Sequence, residues 1–346
     1  MPKLEPRLVD QFLVAVPDAT LDPLARLEHL KGSGAAGLCI GLDTATDREA
    51  SVETLAESAH AWREAADSIG TTFGAVWVGP PAGFSRHAWL TASDAPTRRA
   101  AIADLITAVD CAGVLGAKTL RIDLSKETAP LGVDVPRALD ALADAINAML
   151  AYALAQEIEI ECSLRITGSL LGTVGGAIAW IADLDFEEMV GLELDIASVD
   201  PLDLGAALWH DKIFSINVNG LVSDATVASA TLWAVAQLED AEWNGWRAVA
   251  AAPGAAPDHW GASARDAAGA FLRVQDSARD FLAEELVSSA SLTLNGVEDS
   301  EPTLPTGRSI EALSEHRAAR DPRASAPEEV TAIAEVAAAL DRWRTA

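Results

Sequence analysis

The sequence predicts an α/β protein built as a (β/α)8 TIM barrel with a C-terminal helical arm. Eight short β-rich runs alternate with eight longer helical windows, almost to residue 283. Strict alternation requires parallel strands, and eight such units in about 250 residues indicate a closed barrel. A doubly wound open sheet is the alternative, but no Gly-x-Gly-x-x-Gly follows the first strand.

The predicted strands share apolar, β-rich composition and turn residues at their ends. They cover 12–16, 37–42, 72–78, 118–124, 158–164, 190–197, 213–219 and 247–252. The helical windows between and after them cover 22–32, 46–69, 95–115, 135–156, 173–184, 201–210, 225–241 and 262–283. The first helix has the clearest signals, because Asp22-Pro23 reads as an N-cap followed by proline at the first helical position. Gly113 and Gly116 mark a helix end ahead of strand 4.

The chain changes character after residue 283, so we divide it into a barrel at 1–283 and an arm at 284–346. Residues 284–307 read as an extended surface loop, and two helices are predicted near 309–319 and 327–343. The last helix has an apolar stripe with no barrel strand to cover: Val330, Ile333, Val336, Leu340 and Trp343. The stripe must be buried on its own barrel or on another subunit. The long preceding loop favours another subunit, which predicts a homo-oligomer, a dimer or a tetramer.

Charge and cysteine content narrow the function classes. The chain has 25 basic and 52 acidic residues, a net charge of −27, which argues against nucleic acid and anionic membranes as partners. Cys39, Cys111 and Cys162 are widely spaced in apolar runs and are expected to be buried free thiols, as in a reducing cytoplasm. We find no signal-peptide pattern, and the longest uncharged run, 166–182, is short and polar for a membrane span.

Several runs, taken together, resemble the D-xylose isomerases. They are Leu21-Asp-Pro-Leu through Leu-Cys-Ile40, Leu115-Gly-Ala-Lys-Thr-Leu, Arg137-Ala-Leu-Asp, Thr173-Val-Gly-Gly-Ala-Ile-Ala-Trp and the run from Ala206 to Gly220. The resemblance implies a TIM barrel whose C-terminal arm embraces a neighbouring subunit. It also implies two divalent cations at the barrel mouth, which polarise an open-chain aldose for a hydride shift between C1 and C2.

Position by position, this sequence departs from the family's metal and catalytic pattern. The strand-2 histidine falls on Gly41, and the aromatic wall residues fall on Pro80 and Asp123. Metal-binding or catalytic groups also fall on residues of other types, namely Ser163, Arg165, Asp195, Ser198, Asn217 and Ala250. One Asp and one Asn do not make octahedral sites for two Mg²⁺ ions. We therefore expect no bound metal, no cofactor and no catalytic residue of the family mechanism.

Strand periodicity predicts which side chains point into the barrel. On strands 4, 5 and 6, the side chains expected to point into the barrel interior are charged or polar: Arg121, Asp123, Glu161, Ser163, Arg165, Glu193 and Asp195. Interior charges must be paired or solvated. One interpretation is a structural ion-pair network, with Arg121 or Arg165 within about 4 Å of a carboxylate. A second is a pocket in which Arg165 binds a carboxylate or phosphate, and a third is that the strand phase is wrong and some of these residues face the helices. The candidate ligand-binding residues are Asp123, Arg165, Asp195 and Asn217.

The remaining histidines and tryptophans are weaker candidates. Only His87 and His259 are expected on the functional face of the barrel, and solvated or capping roles are commoner for such residues. Most tryptophans, including Trp77 and Trp209, are expected to be core or subunit-interface anchors. The loops that contain Trp89 and Trp260 are the places to look for exceptions.

Two functional hypotheses follow from the sequence. The first is a catalytically inactive xylose isomerase-like protein in the cytoplasm, which binds a sugar or sugar-acid ligand or associates with itself or with an active paralogue. The second is an aldose–ketose isomerase or epimerase of the same superfamily with a rebuilt active site. The sequence leans towards the first.

Overall fold

Eight parallel strands close into a barrel in the order β1 to β8 in the computed structural model of the chain. The structure describes residues 12–17, 21–31, 33–48, 51–81, 88–125, 127–128, 134–219 and 229–283. The strands are β1 Phe12–Ala15, β2 Gly37–Gly41, β3 Phe73–Val78, β4 Thr119–Asp123, β5 Glu161–Arg165, β6 Val190–Asp195, β7 Ile213–Asn217 and β8 Trp246–Val249. The predicted (β/α)8 barrel is confirmed.

The helices alternate with the strands and form the outer ring. They are α1 Pro23–Leu30, α2 Leu42–Ala45, α3 Val52–Ile69, α4 Ala95–Leu115, α5 Val135–Ala155, α6 Val174–Ile181, α7 Pro201–Trp209, α8 Ser229–Asp240 and α9 Trp260–Leu282. Side chains cap most of their first turns. Asp22, for example, accepts a hydrogen bond from the Ala25 N–H at 3.0 Å ahead of Pro23, as its sequence predicts. Gly116 ends α4 in the left-handed conformation, at φ 72°.

Some element bounds differ from the sequence prediction. Strand β5 begins at Glu161 rather than at 158, and β8 ends at Val249 rather than at 252. The ladder stops after Val249 because the N–H of Ala250 donates to the side-chain oxygen of Asn219 at 2.8 Å. The window 46–69 shortens to α3, whose N-cap is Ser51, and the short helix α2 precedes it.

The main apolar core lies between the strands and the helices, and a second, smaller cluster fills part of the barrel interior. The interior cluster consists of Leu13, Cys39 and Ala75, with Trp77 and Trp246 packed against it. Polar pairs complete the interior: Ser163 Oγ lies 2.8 Å from Ser215 Oγ, and Arg121 pairs with Glu193. Arg121, Ser163 and Glu193 are buried, as the strand phase predicts. Glu161 is exposed at the start of β5 and is therefore solvated.

Three further predictions concern the state of the cysteines, the presence of a membrane-spanning segment and the C-terminal arm. Cys39, Cys111 and Cys162 are buried free thiols, as predicted, and burial raises the pKa of Cys111 to about 12. Within the described residues, α5 is long and apolar enough to cross a membrane by length and composition, but one side of it is buried against the rest of the barrel. The predicted arm at 284–346 lies outside the described residues and stays a prediction.

Candidate functional site

A cavity of about 320 Å³ opens at the carboxyl ends of the strands. This is the end at which TIM barrels place their active sites. The residues that line it come from seven of the eight strands, all but β6, and from the segments that follow them. The polar and aromatic ones are Cys39, Thr44, Trp77, Arg121, Arg165, Asn217 and Asn219.

Arg165 supplies the cavity with a cation that no described side chain neutralises by contact. It is the last residue of β5 and is half-buried. Its guanidinium has no hydrogen bond or ion pair within the described part of the chain, although its charge acts on Asp195 from a distance. A half-buried guanidinium with free donors is suited to a carboxylate or a phosphate, because its fork can donate two parallel hydrogen bonds.

Arg121 forms the floor of the cavity and is already engaged. Its Nε and Nη2 donate to the two carboxylate oxygens of Glu193 at 2.6 and 2.7 Å, and its Nη1 lies 3.2 Å from Cys39 Sγ. Burial alone would lower the pKa of Arg121, but the Glu193 carboxylate outweighs it and raises that pKa. This pair confirms the prediction of an arginine within about 4 Å of an interior carboxylate.

The amides of Asn217 and Asn219 form one wall of the cavity. Asn217 Oδ1 accepts from the Asn219 backbone N–H at 3.0 Å and from Asn219 Nδ2 at 2.7 Å. Asn219 Oδ1 in turn accepts from the N–H of Ala250. Both carbonyl oxygens are therefore occupied by protein donors, whereas amide N–H groups remain for a ligand. Asn217 is among the predicted ligand-binding residues, whereas Asn219 is not, because the predicted strand 213–219 includes it.

Trp77 lines the cavity as well, and it had been expected to be a core or interface anchor. It pairs with Gly41 in the β2–β3 ladder. A β-carbon on Gly41 would lie 3.4 Å from Trp77 Cε3, so the indole ring covers the space beside Gly41. In the family pattern, that position carries the histidine. The signal that could have found Trp77 is its strand phase, which places it on the same side as Arg121 across the β3–β4 ladder.

The other two predicted ligand-binding residues lie at strand ends but do not line the cavity. Asp123 Oδ1 accepts from the Ser125 N–H at 2.9 Å, and Asp195 Oδ1 accepts from the Ala197 N–H at 3.2 Å. Both carboxylates thus cap the turns that follow their strands. Desolvation raises the pKa of Asp195, while the Ala197 N–H and the charge of Arg165 partly oppose that rise.

The rim of the mouth is held by a buried carboxylate in the loop after β4. Glu127 has no exposed surface, and its Oε1 accepts from the N–H groups of Trp89 and Leu90 at 3.0 and 3.1 Å. Its Oε2 accepts from the Thr91 N–H and hydroxyl at 3.2 and 2.9 Å. Glu127 therefore binds the segment after β3 to the segment after β4. No sequence pattern had predicted a role for Glu127.

The weaker candidates do not join the cavity. Trp89 and Trp260 are buried core residues, and the exposed His259 lies 3.8 Å from Asp258. His87 lies outside the described residues. Larger clefts of about 480 and 500 Å³ lie between the first turns of α4 and α5 and at the amino ends of the strands. The first lies on the helical ring outside the strands and the second lies at the opposite end of the barrel, so neither is lined by the interior side chains that converge at the mouth.

The architecture matches many solved structures, although no protein-family model matches the sequence. One match is a D-psicose 3-epimerase, 15% identical, with a TM-score of 0.59 over 77% of this chain and 99% of that one. An L-ribulose 3-epimerase is also 15% identical, with a TM-score of 0.57 over 80% and 98%. A putative xylose isomerase from Rhodospirillum rubrum is 15% identical, with a TM-score of 0.57 over 76% and 98%. The fold is that of the xylose isomerase-like barrels.

The mouth of this barrel does not fit the metal pair that the sequence resemblance implies. Among the described residues, no group of three His, Cys, Asp or Glu side chains could hold a metal ion. The hydroxyl of Ser163 is hydrogen-bonded to that of Ser215, and the side-chain carbonyl oxygens of Asn217 and Asn219 already accept hydrogen bonds. Divalent cations need several free oxygen donors. The carboxylates of Asp123 and Asp195 at the strand ends each already accept a backbone N–H, and the positive charge of Arg165 beside them repels a cation.

Proposed function

We propose that this protein is a xylose isomerase-like barrel that binds a sugar acid at its mouth and does not isomerise sugars through divalent cations. The observation that carries the proposal is Arg165, a half-buried guanidinium that lines the cavity without an ion-pair partner among the described residues. The ligand that such a group favours is an anion, and a carboxylate fits its two parallel donors.

The other residues that line the cavity suit the carbohydrate part of such a sugar acid. Trp77 offers an apolar ring face, and Asn217 and Asn219 offer amide N–H donors for hydroxyl oxygens. A cavity of about 320 Å³ is at the small end of the usual range for ligand sites, which suits a five- or six-carbon acid. We place the protein in the cytoplasm as part of the same proposal.

Titration calorimetry with D-gluconate and D-xylonate, against D-xylose as the neutral comparison, tests the ligand. We expect the acids to bind and xylose to bind at least tenfold more weakly. Arg165→Gln should abolish acid binding, whereas Arg273→Gln, at an exposed arginine of α9, should leave it unchanged. Equal binding of xylose and the acids would contradict the proposal, as would an Arg165→Gln variant of full affinity.

The second candidate is a sugar isomerase or epimerase with a rebuilt site, and the epimerases among the structural matches favour it. Assays of xylose isomerisation and of ketose 3-epimerisation with Mg²⁺, Mn²⁺ or Co²⁺ separate the two. We expect no turnover and no metal retained by the purified protein. Metal-stimulated turnover would establish the second candidate in place of the first.

A further inference from the structure

The outer surface of α7 exposes large apolar side chains that nothing in the described chain covers. Leu202 is 84% exposed and Trp209 is 77% exposed. They are seven residues apart, with the exposed Ala206 between them at the four-residue spacing, so all three lie on one side of the helix. No other large apolar side chain of the described residues is exposed to a comparable degree, since the next one, Leu154, is 49% exposed.

The neighbouring helix α6 extends this surface without adding charge. It packs against α7, and its exposed residues include Gly175 and Ala179. A β-carbon on Gly175 would meet nothing within 4 Å, so packing within the described chain does not require glycine there. We call the exposed sides of α6 and α7 together the α6–α7 face.

The low number of charged residues on the α6–α7 face indicates what kind of partner covers it. The helix α6 contains no charged residue and α7 contains one, Asp203, whereas α3 contains five and α9 contains six. Two copies that each carry a net charge of −27 repel one another over most of their surfaces. The α6–α7 face is where like-charged copies can approach with the least repulsion, and interface cores are depleted in charge.

The α6–α7 face also carries both halves of a self-complementary contact. A twofold interface brings the same patch of both subunits together, so each projecting residue needs a small residue on the same patch to receive it. Leu202 and Trp209 project, and Ala206, Ala179 and Gly175 leave room. We propose that the α6–α7 face is a twofold interface between two copies of this chain.

The area is consistent with a dimer of modest affinity. Burial of Leu202 and Trp209 from both copies removes about 600 Å² from water, at roughly 150 Å² for each side chain. A stable interface buries at least about 1,200 Å² in total. The surface of α6 has to supply the other half, and we therefore expect a dissociation constant near the micromolar range.

Sedimentation velocity of the full chain between about 1 and 100 µM tests the dimer. We expect wild type to dimerise over this range, and Leu202→Glu and Trp209→Glu each to weaken dimerisation at least tenfold. Leu154→Glu, the same change at an exposed leucine of α5, is the matched control and should dimerise as wild type does. Thermal unfolding checks that each variant folds, and Leu202→Ala replaces any variant that does not.

Cross-linking then locates the contact. A short bis-maleimide should join two copies of Ala206→Cys, because the three native thiols are buried, and it should not join copies of Leu154→Cys. A wild type that stays monomeric at 100 µM overturns the proposal. So does a dimer that Leu202→Glu leaves intact and that only Leu340→Asp dissociates, since the contact would then lie on the C-terminal segment.

Discussion

Asp195 and Arg165 both contribute charge at the barrel mouth. The carboxyl of Asp195 is half-buried, and its pKa is raised chiefly by desolvation. Arg165 acts on it without direct contact. An anion bound to Arg165 would meet the negative charge of Asp195 as well, so this carboxylate opposes the ligand whenever it is ionised.

We expect Asp195→Asn to tighten binding of D-gluconate several-fold at neutral pH. Because desolvation raises the pKa of Asp195 above its ordinary value, wild-type affinity should also rise as the pH is lowered from neutral towards that pKa, over the range in which the ligand carboxylate stays ionised. The variant has no carboxyl to titrate, so its affinity should stay flat over that range. Calorimetry at a series of pH values measures both trends, and parallel pH profiles for the two proteins would contradict the assignment.

The pair formed by Arg121 and Glu193 is the second residue-scale feature that determines behaviour. Removal of one partner leaves the other charge buried and unpaired, which costs about 3–5 kcal/mol. We expect Arg121→Met to lower the free energy of unfolding by that amount in urea titrations. The double variant Arg121→Met/Glu193→Met should recover most of the loss, since it removes both charges. A double variant less stable than the single one would show that the pair itself stabilises the barrel.

At the scale of elements, much of the barrel follows from local sequence signals. Apolar runs placed all eight strands, and capping residues such as Asp22 marked where helices begin. The errors arose where tertiary contacts replace ladder hydrogen bonds. Ile158 continues the alternating pattern of β5 but precedes the strand, and its side chain lies close to Gly113 of α4. Likewise, the side chain of Asn219 accepts a hydrogen bond from the N–H of Ala250, which would otherwise have extended β8.

The site was less predictable than the fold, because cavities depend on which neighbours face each other. Arg165 and Asn217 do line the mouth, and strand phase was enough to place them there. Asp123 and Asp195 instead cap the turns after their own strands, a local use of the carboxylate that periodicity does not reveal. Glu127 was missed for the opposite reason, since its partners lie 36 to 38 residues away in sequence.

Glu127 gives a prediction for the loops of the rim. Replacement by glutamine puts an N–H₂ group where only acceptors fit, against the N–H groups of Trp89, Leu90 and Thr91. We expect Glu127→Gln to lower the free energy of unfolding by about 1–3 kcal/mol, because buried donors lose their acceptor. Proteolysis should also cleave the 88–92 segment faster. Glu57→Gln, at an exposed glutamate of α3, is the control and should change neither property.

At the scale of the whole molecule, acidic charge governs how copies of the protein meet. The net charge of −27 opposes association, and salt screens that repulsion within about 8–10 Å at physiological ionic strength. The proposed α6–α7 face is apolar and loses no ion pairs in salt. We therefore expect dimerisation to strengthen several-fold between about 50 and 500 mM NaCl, as measured by sedimentation equilibrium. Weaker association at high salt would indicate an interface held by ion pairs instead.

The indole of Trp77 beside Gly41 couples two positions of the mouth. A β-carbon at Gly41 would lie 3.4 Å from Trp77 Cε3, in van der Waals contact, so a longer side chain at position 41 would have to extend past the indole. A smaller residue at position 77 would give that side chain more room, but by itself it would open a hole beside the interior cluster of Leu13, Cys39 and Ala75. We therefore expect substitutions at positions 41 and 77 to be non-additive, so that each is tolerated better when the other accompanies it.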